Sequence, residues 1–67
     1  MVKPGRYKHF KGNFYEVLYV AKHSETMQEM VVYKDLNSQK IWARPIEMWI
    51  DVVEADGKKV ARFEFVE

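Results

Sequence analysis

The chain has 67 residues, 48% of them hydrophobic, with four Phe, four Tyr, two Trp and no cysteine. This composition excludes a disordered segment, a disulfide-stapled domain and a zinc site built from cysteine thiolates. The net charge of +1 excludes a global field that would draw the protein to nucleic acid. No apolar run approaches the roughly 18–20 residues of a membrane-spanning helix, and no secretory leader is visible. We therefore expect residues 1–67 to form a single soluble domain in the cytoplasm.

The first half of the chain predicts three β-strands. Residues 6–10 alternate polar and aromatic side chains, and the Gly and Asn of residues 11–13 suit a tight turn. Residues 14–22 are largely apolar on both faces, which predicts a central strand in a tightly curled sheet, or an outer face that binds a partner. Residues 30–36 form the return strand of a long hairpin.

The register of this hairpin follows from charge and apolar pairing. The preferred register brings one pair of opposite charges and three apolar pairs together, whereas a slip of one residue sets two acidic side chains against each other. The predicted pairs are Glu16 with Lys34, Val17 with Tyr33, Leu18 with Val32, and Val20 with Met30.

The second half predicts a strand over residues 40–44 and one helical turn over residues 45–49, since proline ends a ladder and is tolerated at the start of a helix. Residues 50–55 predict a further strand, and the Asp-Gly pair at 56–57 predicts a hairpin turn. Residues 60–66 alternate, with Ala61, Phe63 and Phe65 inward. Five to six short antiparallel strands with one helical turn near residues 45–49 predict an all-β fold, a small curled barrel or roll.

The densest group of polar side chains lies at the bend of the long hairpin: His23, Ser24, Glu25 and Thr26. An imidazole, two hydroxyls and a carboxylate can form a loop that contacts a ligand. Serine and threonine hydroxyls also bond to nearby backbone amides in ordinary turns. The residue types therefore predict either a binding loop or a structural turn.

Two histidines, His9 and His23, raise the question of a metal or catalytic site. Glu25 would supply a third ligand, but no closely spaced pair of ligands supports this. Nucleophilic catalysis would use Ser24 with a histidine base, yet neighbours on an extended strand point to opposite faces. We predict no metal, no cofactor, no catalytic residue and no enzymatic activity.

Nucleic-acid binding is a competing prediction, since small β-barrels bind single strands through basic and stacking side chains. Seven acidic residues against three basic ones within residues 24–56 count against it, and the aromatic rings equally suit a core. The side chains that would serve are Arg6, Lys8, Lys11 and Arg44, with Tyr7, Phe10 or Trp42.

Trp42 and Arg44 lie two residues apart and share one face of the predicted strand. An arginine beside an aromatic ring either holds a carboxylate or phosphate or stacks on the ring. Both interpretations stay open.

Short motifs run through nearly the whole chain: GRYKHFKG at 5–12, AKHSET at 21–26, VVY at 31–33, WARP at 42–45 and MW at 48–49. This pattern resembles the small bacterial domain-of-unknown-function family numbered 1653. The resemblance implies an SH3-like barrel or roll and supplies no activity, ligand or catalytic residue. The polar positions that coincide with the family's pattern are Tyr7, His9, His23, Ser24, Glu25, Thr26 and Arg44.

We therefore predict a small non-catalytic binding module for an anionic small molecule or peptide, with single-stranded nucleic acid (RNA) as the alternative. The guanidinium of Arg44 would hold the anion, the hydroxyls of the bend would orient it, and His23 would make binding pH-sensitive. We expect a monomer or weak dimer that binds a small ligand or a protein and has no membrane contact. The predicted ligand-binding residues are Tyr7, His9, His23, Ser24, Glu25, Thr26, Trp42 and Arg44.

Overall fold

The computed structural model describes residues 2–67 and consists of seven antiparallel strands and one short helix. The all-β prediction is confirmed, with one or two more strands than expected. Within residues 2–67, no helix has the length and apolar character that crossing a bilayer requires. The elements are β1 (Gly5–His9), β2 (Phe14–Lys22), β3 (Glu29–Asp35), β4 (Ile41–Pro45), α1 (Ile46–Trp49), β5 (Val52–Ala55), β6 (Lys58–Ala61) and β7 (Phe63–Phe65).

Five of the strands form one sheet in the order β4-β3-β2-β1-β7, and β5 pairs with β6 in a separate hairpin. The first strand therefore pairs with both the second strand and the last one. The sheet curls, but β4 and β7 are its two edges and do not pair with each other. The structure is thus an open, curled sheet and not a closed barrel.

A β-bulge in β2 divides the long hairpin into two registers. The predicted pairs Glu16–Lys34 and Val17–Tyr33 are confirmed. Beyond the bulge at Leu18 the pairing shifts, so that Val20 lies opposite Val31, and the predictions for Leu18 and Val20 are wrong. A bulge adds one residue to a strand and increases its local twist, which suits the strand at the middle of a curled sheet.

The core lies on the inner, concave face of this sheet and is mostly aromatic. The helical turn predicted after Pro45 is present as α1, and it places Trp49 over the inner face. The Trp49 ring lies parallel to Phe63, with centroids 3.7 Å apart. Stacked aromatic rings of this size contribute a large part of the buried area in a domain of this length. The buried residues are Val2, Tyr7, Val17, Val31, Tyr33, Trp49 and Phe63.

The last predicted strand is divided at Arg62, which belongs to neither sheet. The Arg62 N–H donates to the carbonyl of Asp51, while the Arg62 carbonyl accepts from Phe10 N–H. The chain therefore leaves the β5–β6 hairpin and enters the large sheet at this residue. Phe63 is buried as predicted, but Ala61 is exposed, so the single inward-facing alternation over residues 60–66 is wrong.

Candidate functional site

Side chains from both edges of the curled sheet meet around the ring of Phe63 on β7. From this ring centroid, the centroid of His9 lies at 4.9 Å, that of Tyr15 at 5.6 Å, and the Arg44 guanidinium carbon at 5.4 Å. Trp49 covers the Phe63 ring by parallel stacking. We call His9, Tyr15, Arg44 and Phe63 the inner-face cluster. It exists because the curl of the sheet brings β4 and β7 toward each other.

Arg44 differs from the other two arginines in having no carboxylate partner within residues 2–67. Arg6 pairs with Glu67 at 3.3 Å and Arg62 pairs with Asp51 at 3.0 Å. The hydrogen bond from Arg62 holds the pKa of Asp51 below its ordinary value. Arg44 is half-buried and packs on an aromatic ring instead. Its five N–H donors are thus available to an acceptor from outside the chain.

The imidazole of His9 stands in a positive electrostatic environment. Burial of the ring lowers the pKa of His9, and the charges of Arg62, Arg44 and Lys11 lower this pKa further. The Nδ1 atom accepts a hydrogen bond from the Lys11 N–H at 3.1 Å. Because Nδ1 is an acceptor, the neutral ring carries its proton on Nε2, which is a hydrogen-bond donor.

This lowered pKa predicts how stability depends on pH. The unfolded chain binds the His9 proton more readily than the folded chain, so the free energy of unfolding falls as the pH drops below the ordinary value of 6.5. Above that value His9 contributes no slope. We expect urea unfolding to show that the free energy of unfolding increases between about pH 5 and pH 7.5. His9→Gln should reduce the slope of this increase. An unchanged slope in His9→Gln would contradict the assignment.

A groove of about 620 Å³ borders His9 on the side of the β5–β6 hairpin. Its apolar lining includes Phe10, Ala55 and Val60. Its charged lining consists of two lysines and two carboxylates, Lys8, Lys58, Asp56 and Glu64. Pockets that bind small molecules usually have volumes of about 300–1,000 Å³. The groove can therefore hold the body of a ligand whose charged group lies beside His9.

The polar residues at the hairpin bend shape the bend itself. The Nδ1 atom of His23 accepts hydrogen bonds from the backbone N–H groups of Glu25 at 3.2 Å and Thr26 at 3.3 Å. The Thr26 hydroxyl accepts from the Gln28 N–H at 3.2 Å. Ser24 is exposed. These local bonds are those of a structural turn, and a ligand-binding role for the bend stays a prediction.

The bend and His9 lie at opposite ends of the long strand β2. The N–H of His9 donates to the carbonyl of Asn13, so His9 lies at the start of β2, while His23 follows the end of β2. A strand of nine residues separates them by about 30 Å. Arg44, by contrast, lies opposite Val31, two residues from the start of β3, and is therefore nearer to the bend. A surface that unites the bend with His9 and Arg44 stays a prediction.

Of the remaining predicted residues, Tyr7 is buried and Trp42 is exposed. Tyr7 has 6% of its surface accessible, and its hydroxyl exchanges two hydrogen bonds with the backbone of Lys3. Trp42 is 51% exposed on β4. The residues that the sequence failed to indicate are Tyr15 and Phe63. Alternation placed Phe63 inward without indicating a site, and the apolar character of both faces of residues 14–22 left Tyr15 unassigned.

Metal ligands do not gather in the part of the chain that the structure describes. No three histidine or acidic side chains of residues 2–67 lie close enough to hold an ion. The two histidines considered as a pair, His9 and His23, are separated by β2.

Comparisons with known proteins place the chain in a family without an assigned activity. A crystal structure of a DUF1653 protein from Bordetella bronchiseptica is similar, with a TM-score of 0.89 and 31% sequence identity, over 97% of this chain and 87% of that one. None of the curated proteins matches the chain. The family model described as "Protein of unknown function (DUF1653)" matches residues 5–65. The chain therefore belongs to the DUF1653 family, whose function is unknown.

Proposed function

We propose that this protein is a non-catalytic binding module that recognises the anionic group of a small molecule or peptide at the inner-face cluster. The observation that carries the proposal is Arg44, a half-buried guanidinium that has no carboxylate partner within residues 2–67. A guanidinium held against a ring is preorganised, so less side-chain entropy is lost when it binds.

The chemistry of the cluster favours a carboxylate or a phosphate. The planar fork of Arg44 matches two oxygens of such a group. His9 adds an N–H donor on Nε2 and becomes a second cation when it is protonated. Arg62 and Lys11 add positive potential at His9. An anion bound beside His9 would raise its pKa, so the affinity should increase as the pH falls.

The groove beside His9 supports a ligand larger than a single anion. Its apolar lining suits an aliphatic or aromatic body, and His9 both lines the groove and belongs to the inner-face cluster. The proposed ligand class is therefore an organic acid or a peptide with an exposed carboxylate or phosphate.

The proposal is tested by titrating the protein with inorganic phosphate and with acetate, followed by NMR shifts of the His9 ring. We expect Arg44→Ala to weaken phosphate binding by about tenfold or more, since a charge-assisted hydrogen bond contributes roughly 1.5–3 kcal/mol. Arg44→Lys keeps the charge but loses the planar fork of the guanidinium. Its affinity for phosphate should therefore lie between that of the original chain and that of Arg44→Ala.

The matched control is Arg6→Ala, which removes the same unit of charge from an exposed arginine paired with Glu67. If the site is local, this variant retains the affinity of the original chain. Equal weakening in both variants would show a general charge effect and would overturn the proposal. So would the absence of phosphate-dependent shifts at His9.

The alternative partner, single-stranded nucleic acid, has weaker support. Arg6 and Lys8 alternate with Tyr7 along β1 and lie on the outer face, whereas Arg44 lies on the inner face. The Tyr7 ring is buried and cannot stack on a base. Binding through the remaining side chains would show a steep loss of affinity with salt.

We also infer that the curled sheet is a variant of an SH3-like roll. Its support is a four-strand meander whose first strand also pairs with the last, with a short helix between β4 and β7. A bacterial cytoplasmic setting is supported by the bacterial relative and by the absence of cysteine.

A further inference from the structure

The edge strand β4 carries unpaired backbone groups. The Asp35 N–H donates to the carbonyl of Lys40, and bonded pairs alternate along an antiparallel ladder. Trp42 and Arg44 therefore direct their backbone groups toward β3, opposite Tyr33 and Val31. Ile41 and Ala43 direct theirs outward, where no strand within residues 2–67 pairs with β4. Such an edge is a template for another strand.

The side chains on this edge are also unprotected. Ile41 is 59% exposed and Trp42 is 51% exposed. Large apolar side chains that are exposed on an open edge favour association with another chain. Pro45 lies at the end of β4, in a position whose backbone nitrogen faces outward, so it limits the length of the open edge. The edge thus offers a short, defined segment of three residues, 41–43.

We propose that β4 pairs antiparallel with β4 of a second copy of this chain, about a two-fold axis at Ala43. In this register Ala43 exchanges two backbone hydrogen bonds with its own copy. Ile41 of each chain lies opposite Pro45 of the other, and the Pro45 carbonyl, at the N-cap of α1, accepts the first bond of that helix. The two curled sheets then form one continuous ten-stranded sheet.

Charge selects this register over its neighbours. Shifts of one residue place inward-directed backbone groups against outward-directed ones and form no ladder. A shift of two residues in one direction sets Arg44 opposite Lys40 of the second copy, and a shift in the other direction sets Arg44 opposite Arg44. Like charges directly opposite each other destabilise a sheet. Only the axis at Ala43 avoids both.

The same register sets Arg44 opposite Trp42 of the second copy. These two residues occupy a pair without mutual backbone hydrogen bonds, where cross-strand side chains approach most closely. The guanidinium already lies 5.4 Å from the Phe63 centroid in its own chain, and the indole of the second copy would supply another ring beside it. The contact between Arg44 and Trp42 therefore favours the same register as the backbone hydrogen bonds do.

The test uses two substitutions at one exposed position, Trp42→Lys and Trp42→Glu, with sedimentation equilibrium of the whole chain up to about 1 mM, since a weak dimer has a dissociation constant in the micromolar to millimolar range. Both variants lose the indole. Trp42→Lys places a cation against Arg44 and should weaken dimerisation at least tenfold. Trp42→Glu places an anion there and should retain the dimer.

A monomeric original chain at the highest concentration would overturn the proposal, and so would equal behaviour of the two variants. The register with Trp42 opposite Trp42 predicts repulsion in both variants, so it is distinguished from the proposed one. Far-UV circular dichroism reports whether each variant is folded. Phosphate titration of the original chain at low concentration, where the weak dimer dissociates, tests the proposed function separately.

Discussion

Trp49→Ala is expected to remove most of the domain's free energy of unfolding. Trp49 is 2% exposed, stacks on Phe63 at 3.7 Å, and has its centroid 4.8 Å from that of Tyr33. Truncating a buried tryptophan to alanine costs about 3–5 kcal/mol. A small domain has a total stability near the lower end of about 5–15 kcal/mol. The loss is therefore comparable with the whole free energy of unfolding, which urea titration followed by circular dichroism would measure.

The chain offers a matched control in Trp42→Ala, which removes the same side chain from an exposed position. At low protein concentration we expect this variant to lose less than about 1 kcal/mol, as is usual for surface substitutions. Trp49→Phe should be intermediate, since it keeps an aromatic ring and removes an indole N–H that is buried without a hydrogen-bond partner. Similar losses for the two alanine variants would contradict the assignment of Trp49 to the core.

Gly5→Ala is the second change with a large expected effect. Gly5 has a φ of +136°, and a Cβ atom there would meet the carbonyl oxygen of Glu67 at 2.6 Å and the ring of Phe65 at 2.7 Å. The same Glu67 oxygen accepts the Arg6 N–H. An alanine would therefore combine backbone strain with displacement of residues 65–67, which pack against Gly5. We expect a loss of about 3 kcal/mol, given strain of about 1–3 kcal/mol per such residue.

Gly12→Ala separates the two contributions. Gly12 also has a positive φ, +107°, but a Cβ atom there would meet open space. This variant measures backbone strain alone and should lose about 1–2 kcal/mol. The midpoint of thermal unfolding measures both losses. If it falls by the same amount in Gly5→Ala and Gly12→Ala, close packing of Gly5 against residues 65–67 contributes nothing to stability.

Local chemistry in the sequence predicted the elements well. The Asp56-Gly57 pair predicts a hairpin turn, and both residues have positive φ angles, 53° and 77°, as two-residue turns of this type require. Opposite charges predicted that Glu16 lies opposite Lys34. The bulge at Leu18 could not be predicted, because both flanking runs are apolar and fit either register.

The candidate site was predicted only in part, because it depends on curvature. His9 and Arg44 were identified from their chemistry, and both lie in the inner-face cluster. Phe63 was assigned to the core, and no local pattern indicates that β7 pairs with β1 and carries this ring to β4. Contacts between residues far apart in the chain follow from the twist and curl of the whole sheet, which neither spacing nor composition specifies.

The pairing of β1 with β7 has a consequence for how the protein is made. Tyr7 pairs with Phe65 and His9 with Phe63. The first and last strands, β1 and β7, must therefore pair before the aromatic core is complete. Closing so long a loop is entropically costly and slow. During synthesis the meander β1–β4 leaves the ribosome before Phe63, and Trp49 then lacks the Phe63 ring on which it stacks. Folding of this domain is therefore expected to be completed only after translation of its last strand.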